Sequence, residues 1–126
     1  MTLVEKQTAQ AMRDVARMIR LSGQTATILR SSVAGQDSFF GPRENTETEM
    51  AVIPIEMKAL SPQDLVEIGS DAVASALPDC GVKEQDFLRI DSTRYRVTEV
   101  KPQNLFGTVT HFDLHLELEK REAGHV

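Results

Sequence analysis

The sequence predicts a mainly β protein: a small antiparallel β-barrel or sandwich with an amphipathic N-terminal helix and a long loop. Three observations lead there. Residues 108–119, "TVTHFDLHLELE", alternate apolar and polar side chains with a period of two, the mark of a strand with one face in a core. Shorter β-rich runs precede it, separated by Gly, Ser and Asp turn signals and by no long helical pattern. Residues 1–23 instead place their apolar side chains at helical spacing.

A chain of 126 residues fits one domain, divided here into a helix (1–23), a β domain (24–119) and a flexible tail (120–126). Its 40% hydrophobic and 26% charged content is that of a globular protein. Trp is absent and there are 5 Phe, so the core must rest on aliphatic side chains. A net charge of −5 disfavours a nucleic-acid binder that grips phosphates over a broad surface. No stretch is apolar enough to cross a bilayer, and the N-terminus lacks the apolar run of a signal peptide. The expectation is a protein made in the cytoplasm, with no membrane partner.

In the first segment, Thr2 and Glu5 have capping-box spacing, and Gly23 stands where a left-handed helix terminus is wanted. At about 100° per residue, Val4, Ala11, Met12, Val15, Met18 and Ile19 share one side. Lys6, Arg13, Arg17 and Arg20 gather nearly opposite. That basic stripe is either a solvated face or a docking surface for an acidic partner, such as another copy of this acidic chain.

Residues 24–31 read as a strand with Ala26 and Ile28 on one face. The polar stretch 32–48 follows as an extended loop, in which Phe39 and Phe40 either tuck under the chain or contact a neighbour. "MAVIPIEMKAL" (50–60) is β-rich, and Pro54 assigns it to an edge or a bulge. "LVEIGSDAVASAL" (65–77) reads as two short strands turned at Gly69-Ser70-Asp71. A helix over 61–68, with Ser61 as N-cap and Pro62 at N1, is the competing reading. "DFLRIDSTRYRVTEVK" supplies two strands bent at Asp91-Ser92, with Tyr95, Val97 and Glu99 on one face and an irregularity at Val100. "PQNLFG" reads as a loop, and the last strand buries Phe112, Leu114, Leu116 and Leu118.

Chemistry is sparse. His111, Asp113 and His115 share the polar face of that last strand, where alternate side chains lie roughly 6.6 Å apart and two imidazoles could share zinc. Three collinear groups do not make a tetrahedral shell, and the one further histidine is His125 in the tail. The polar face continues as Glu117 and Glu119, so a solvated strand face is the expectation, with no metal and no cofactor. Cys80 is the single cysteine, so no intrachain disulfide forms and a reducing compartment follows. Nothing in "LPDCGVKEQ" offers it a base. There is no phosphate-cradling glycine loop, no nucleophile elbow and no HExxH. An enzyme is not expected.

The succession "SPQDLVEIGSDAVASAL" and "KEQDFLRIDSTRYRVTEVKPQNLFGTVTHFDLHLEL" resembles the head-closure, or head–tail adaptor, proteins of tailed phages, also called stoppers or head–tail connectors. The shared pattern falls on Gly69, Asp71, Asp86, Leu88, Ile90, Tyr95, Val97, Pro102, Gly107, Phe112 and Leu114, within residues 24–119. The family's usual turn glycine before the Tyr is Ser92 or Thr93 here. The resemblance implies a small β-barrel that assembles with itself into a ring below the portal and connector. In the virion neck such a ring closes the filled head, offers a surface to tail proteins and lets DNA pass without sequence-specific binding. It also implies that loop 32–48 extends toward the channel or an adjoining ring, with Phe39 and Phe40 as anchors. The basic stripe and the Pro54 edge are then candidate ring contacts. A tail-completion or tail-terminator ring is the nearest alternative. A metal-binding β-barrel enzyme using His111 and His115 is the alternative of another class.

Overall fold

A computed structural model describes residues 2–33 and 45–119. Phe39 and Phe40, the rest of 34–44 and the tail 120–126 lie outside the described residues. The order is α1 (Leu3–Leu21), β1 (Gln24–Val33), β2 (Asn45–Met57), α2 (Pro62–Ile68), β3 (Ala72–Ala76), β4 (Phe87–Ile90), β5 (Thr93–Leu105) and β6 (Thr108–Leu118). All strand pairs are antiparallel. They close in the order β1-β2-β3-β6-β5-β4, with β4 returning to β1. The fold class is the one the sequence predicts.

Period-two alternation fills the barrel. Ile28, Ile55, Leu88, Val97, Leu114 and Leu116 point inside and are at most 2% exposed, and Ala74 and Ala76 keep the β3 wall thin. Cys80 and Val82, from the connection between β3 and β4, complete this core. Phe112 and Tyr95 pack against it half-buried. Leu118 does not join it: it is 38% exposed, because β3 stops opposite Leu116 and the wall ends there. The register slips between Val97 and Glu99, so Thr98 is a bulge residue. The slip reverses the expected parity, turning Val100 toward the core and Glu99 toward the outer face.

Three further expectations change. Residues 62–68 form a helix, the competing reading, instead of a strand. Ser61 Oγ accepts the Asp64 N–H at 3.1 Å, Pro62 opens the helix, and Gly69 ends it at φ +78°. Residues 102–105 continue β5 instead of forming a loop, with Pro102 opposite Phe112 and the turn at Phe106-Gly107. Here β5 has β6 on one side only, since β4 pairs with Thr93–Arg96 alone, and an open edge tolerates a missing N–H. The loop placed at 32–48 is shorter, because β1 runs to Val33 and β2 starts at Asn45. Beyond Leu29, where β4 leaves off, these two strands form a two-stranded arm. β2 gains β3 only over Ile55–Met57, so Pro54 sits where that pairing stops and upstream residues form an open edge.

The helix α1 opens with the expected capping box: Glu5 N–H donates to Thr2 Oγ1, and Thr2 N–H to Glu5 Oε2, both at 3.1 Å. It lies against β2 and β6, the two neighbours of β3. Ile19 is 1% exposed, and Thr8 is also buried. Val4 and Met18, expected on the packed side, are 48% and 58% exposed. The packed stripe is rotated, running through Thr8, Ala11, Met12, Val15, Ala16 and Ile19.

Candidate interaction surface

The outer face of β6 was expected to be wet, and α1 makes it largely dry. Val73 and Ser75 of β3 and Asp113 and His115 of β6 face away from the barrel interior, yet all four are buried. Burial of Asp113 demands partners. Lys58 Nζ lies 2.9 Å from its Oδ2, and Ser75 Oγ donates to its Oδ1 at 3.3 Å. His111 Nε2 stands 3.5 Å from the same Oδ1, with Thr110 Oγ1 3.0 Å from its Nδ1. His115 turns elsewhere, its Nδ1 3.8 Å from Glu99 Oε2. The strand thus brings the three residues onto one face, but His115 turns to Glu99 while His111 stands by Asp113, whose carboxylate already holds a lysine ammonium. Among the described residues, no group of three or more His, Cys, Asp or Glu side chains is arranged to hold a metal ion.

Cys80 is 8% exposed in the core, and burial pushes its thiol pKa up, which keeps it protonated and unreactive. Asp86 is likewise structural. Arg30 clasps it with Nε–Oδ1 at 2.9 Å and Nη2–Oδ2 at 2.8 Å, and the Lys83 N–H adds a third bond. Arg30 Nη2 also reaches the Gly81 carbonyl at 3.0 Å, so one guanidinium pins the 81–86 connection to β1. Donating to the Asp86 carboxylate raises the Arg30 pKa further. Nothing in the sequence pattern announced this pair or Lys58–Asp113, because their partners are 56 and 55 residues apart.

At the surface, α1 presents Lys6, Arg13, Arg17 and Arg20 to solvent, and none forms an ion pair among the described residues. Alongside lies a shallow groove of about 390 Å³ lined by Met12, Arg13, Ala16, Arg17, Arg20 and Leu21. Leu21 is 72% exposed. The arm is a second exposed surface. Glu47 to Val52 are all open to solvent, with Val52 at 66% exposure. Its carboxylates are tethered to the barrel: Glu49 by Arg89 at 2.9 Å, and Glu47 by Arg94. Arg94 also holds Glu119, over the Phe87 ring at 4.0 Å. These hydrogen bonds raise the Arg94 pKa and lower that of Glu47. An open cleft of about 610 Å³ lies near the ends of β6 and α2. Its Arg96 and Glu117 are paired at 2.9 Å, and Asp71 Oδ2 accepts the Leu118 N–H at 2.7 Å.

The nucleophile, the imidazoles and the buried carboxylates are therefore absorbed by packing and ion pairs. The unabsorbed features are surfaces: a cationic helix, a projecting arm and scattered exposed aliphatics. Among the described residues, no helix is long and apolar enough to cross a membrane. Compared with known proteins, the chain matches no family model and no curated protein.

Proposed function

We propose that this chain is a structural protein of the tailed-phage neck. It acts as a head–tail adaptor or stopper, forming a ring between the portal or connector and the tail. The observation that carries the reading is the β1–β2 arm, which runs from Arg30 opposite Thr48 to Val33 opposite Asn45 with no third strand beside it among the described residues. It stands where the resemblance implies an extended loop reaching a channel or an adjoining ring. A small closed barrel whose polar side chains serve its own packing supports the same reading, since such a protein works through shape and surface. DNA passes such a ring without sequence-specific contact, and the acidic balance of −5 disfavours sticking to phosphates. The protein acts in the virion neck after synthesis in the host cytoplasm.

The test is genetic. Particles assembled without this protein should accumulate as packaged heads and separate tails, and adding purified protein to the heads should restore joining. Heads that join tails normally in its absence would contradict the proposal. Purified protein that completes isolated tails, and does nothing to heads, would favour a tail-terminator ring instead.

A further inference from the structure

We infer that α1 of one copy docks on α2 of a second copy, giving a head-to-tail contact between copies of this chain. The inference deepens the ring reading but stands on the chain's own charge pattern. Within α1, Lys6, Arg13, Arg17 and Arg20 outweigh Glu5 and Asp14, a net +2 on a chain of net −5, which leaves −7 for the remainder. The segregation is sharp, and the cations stand on the side of the helix away from its packed stripe. They also flank apolar surface: the half-buried Met12 and Ala16 line the groove on the barrel side of the arginines, and Leu21, 72% exposed, lines it on the other. A cation-rimmed apolar groove fits an occupant that is apolar and acidic together.

Such a feature exists on the same molecule. The short helix α2 carries Asp64 and Glu67 and no basic residue, and between and beside them Val66 and Ile68 are 80% and 41% exposed. None of the α1 cations pairs with Asp64 or Glu67 within one molecule, so each patch is available to a neighbour. Ile68 shares a face of α2 with Asp64 and Glu67 at helical spacing, whereas Val66 lies on the far side, so seating Ile68 in the groove buries apolar surface on both sides and brings the carboxylates to the arginine rim. Because the two patches differ, a copy that offers α2 keeps its own α1 free. The contact repeats by rotation and closes into a ring if the angle permits. Duplex DNA is the weaker occupant: it would satisfy the cations, leave Leu21 and Met18 wet and meet the −7 remainder.

The experiment is sedimentation velocity on the full chain over a wide concentration range, at low and physiological salt. The wild type should associate beyond the monomer, less so as salt rises. Arg13→Glu with Arg17→Glu should weaken association about tenfold or more, and so should Asp64→Lys with Glu67→Lys. An equimolar mixture of the two reversed proteins should regain it, because each acidic α1 then meets a basic α2. Circular dichroism and melting establish that each variant is folded; Arg17→Ala and Glu67→Ala replace any reversal that is not. A wild type that stays monomeric throughout overturns the inference, as does association indifferent to the α2 changes or a mixture that stays dissociated. Binding of a short DNA duplex through Arg13 and Arg17 without self-association overturns it in favour of nucleic acid. A monomeric wild type would leave the neck reading to its own genetic test.

Discussion

Among single residues, interior and rim behave differently although they belong to one alternating series. Leu114 and Leu116 are fully enclosed, whereas Leu118 stands past the end of β3. Leu114→Ala should cost about 2–5 kcal/mol and Leu118→Ala less than about 1 kcal/mol, read from urea unfolding. Alternation alone marked all three as core; where the neighbouring strand stops is a tertiary fact that no local pattern carries. The same limit hid Asp86. Removing it frees the 81–86 connection from Arg30 of β1 and takes away the acceptor of the Lys83 N–H, so Asp86→Ala should lower stability by the same measurement. Titration offers another check. Arg94 holds the Glu47 pKa below its ordinary value, so the pair stabilises fully at neutral pH. That contribution fades as acidification carries Glu47 through its lowered folded-state pKa. The stability gap between wild type and Glu47→Gln should therefore shrink toward low pH, and a gap that widens would contradict the pairing. Glu47 is a third exposed, so the gap is small even at neutral pH.

Elements were legible where their signals are local. The capping box at Thr2 and Glu5 and the reversal at Asp91-Ser92 follow from neighbours in sequence, as does the existence of a bulge in β5, which the pattern puts at Val100 and the structure has at Thr98. α2 is not legible from its interior, because "LVEI" has as much β propensity as helical, and the decision rests on Ser61, Pro62 and Gly69 at its ends. Gly69 has open space around its Cα, so Gly69→Ala should cost about 1 kcal/mol through the left-handed backbone alone. A loss much above that would mean a steric role the structure does not contain. The burial of the β6 polar face is hidden for another reason. Its alternation correctly separates two sides, but sequence does not say that α1 returns to cover the second. If that cover holds Asp113 and His115 dry, Ile19→Ala should speed hydrogen exchange in β3 and β6 more than in β4 and β5.

For the whole molecule, closure of six strands leaves little open edge in the barrel wall and concentrates unpaired backbone in the arm and the far end of β5. Such edges expose backbone groups that a neighbouring chain can cover. The side chains of chemical type are each explained by packing or ion pairs, while the cationic helix, the acidic α2 and the arm stay exposed. The most direct measurement is a cryo-electron-microscopy reconstruction of the particle that carries this protein. Copies of the barrel should encircle the central channel between head and tail, with their β1–β2 arms turned toward the channel or the adjoining ring. A barrel seated away from that axis, or present as an isolated copy with its arm in solvent, would contradict the account.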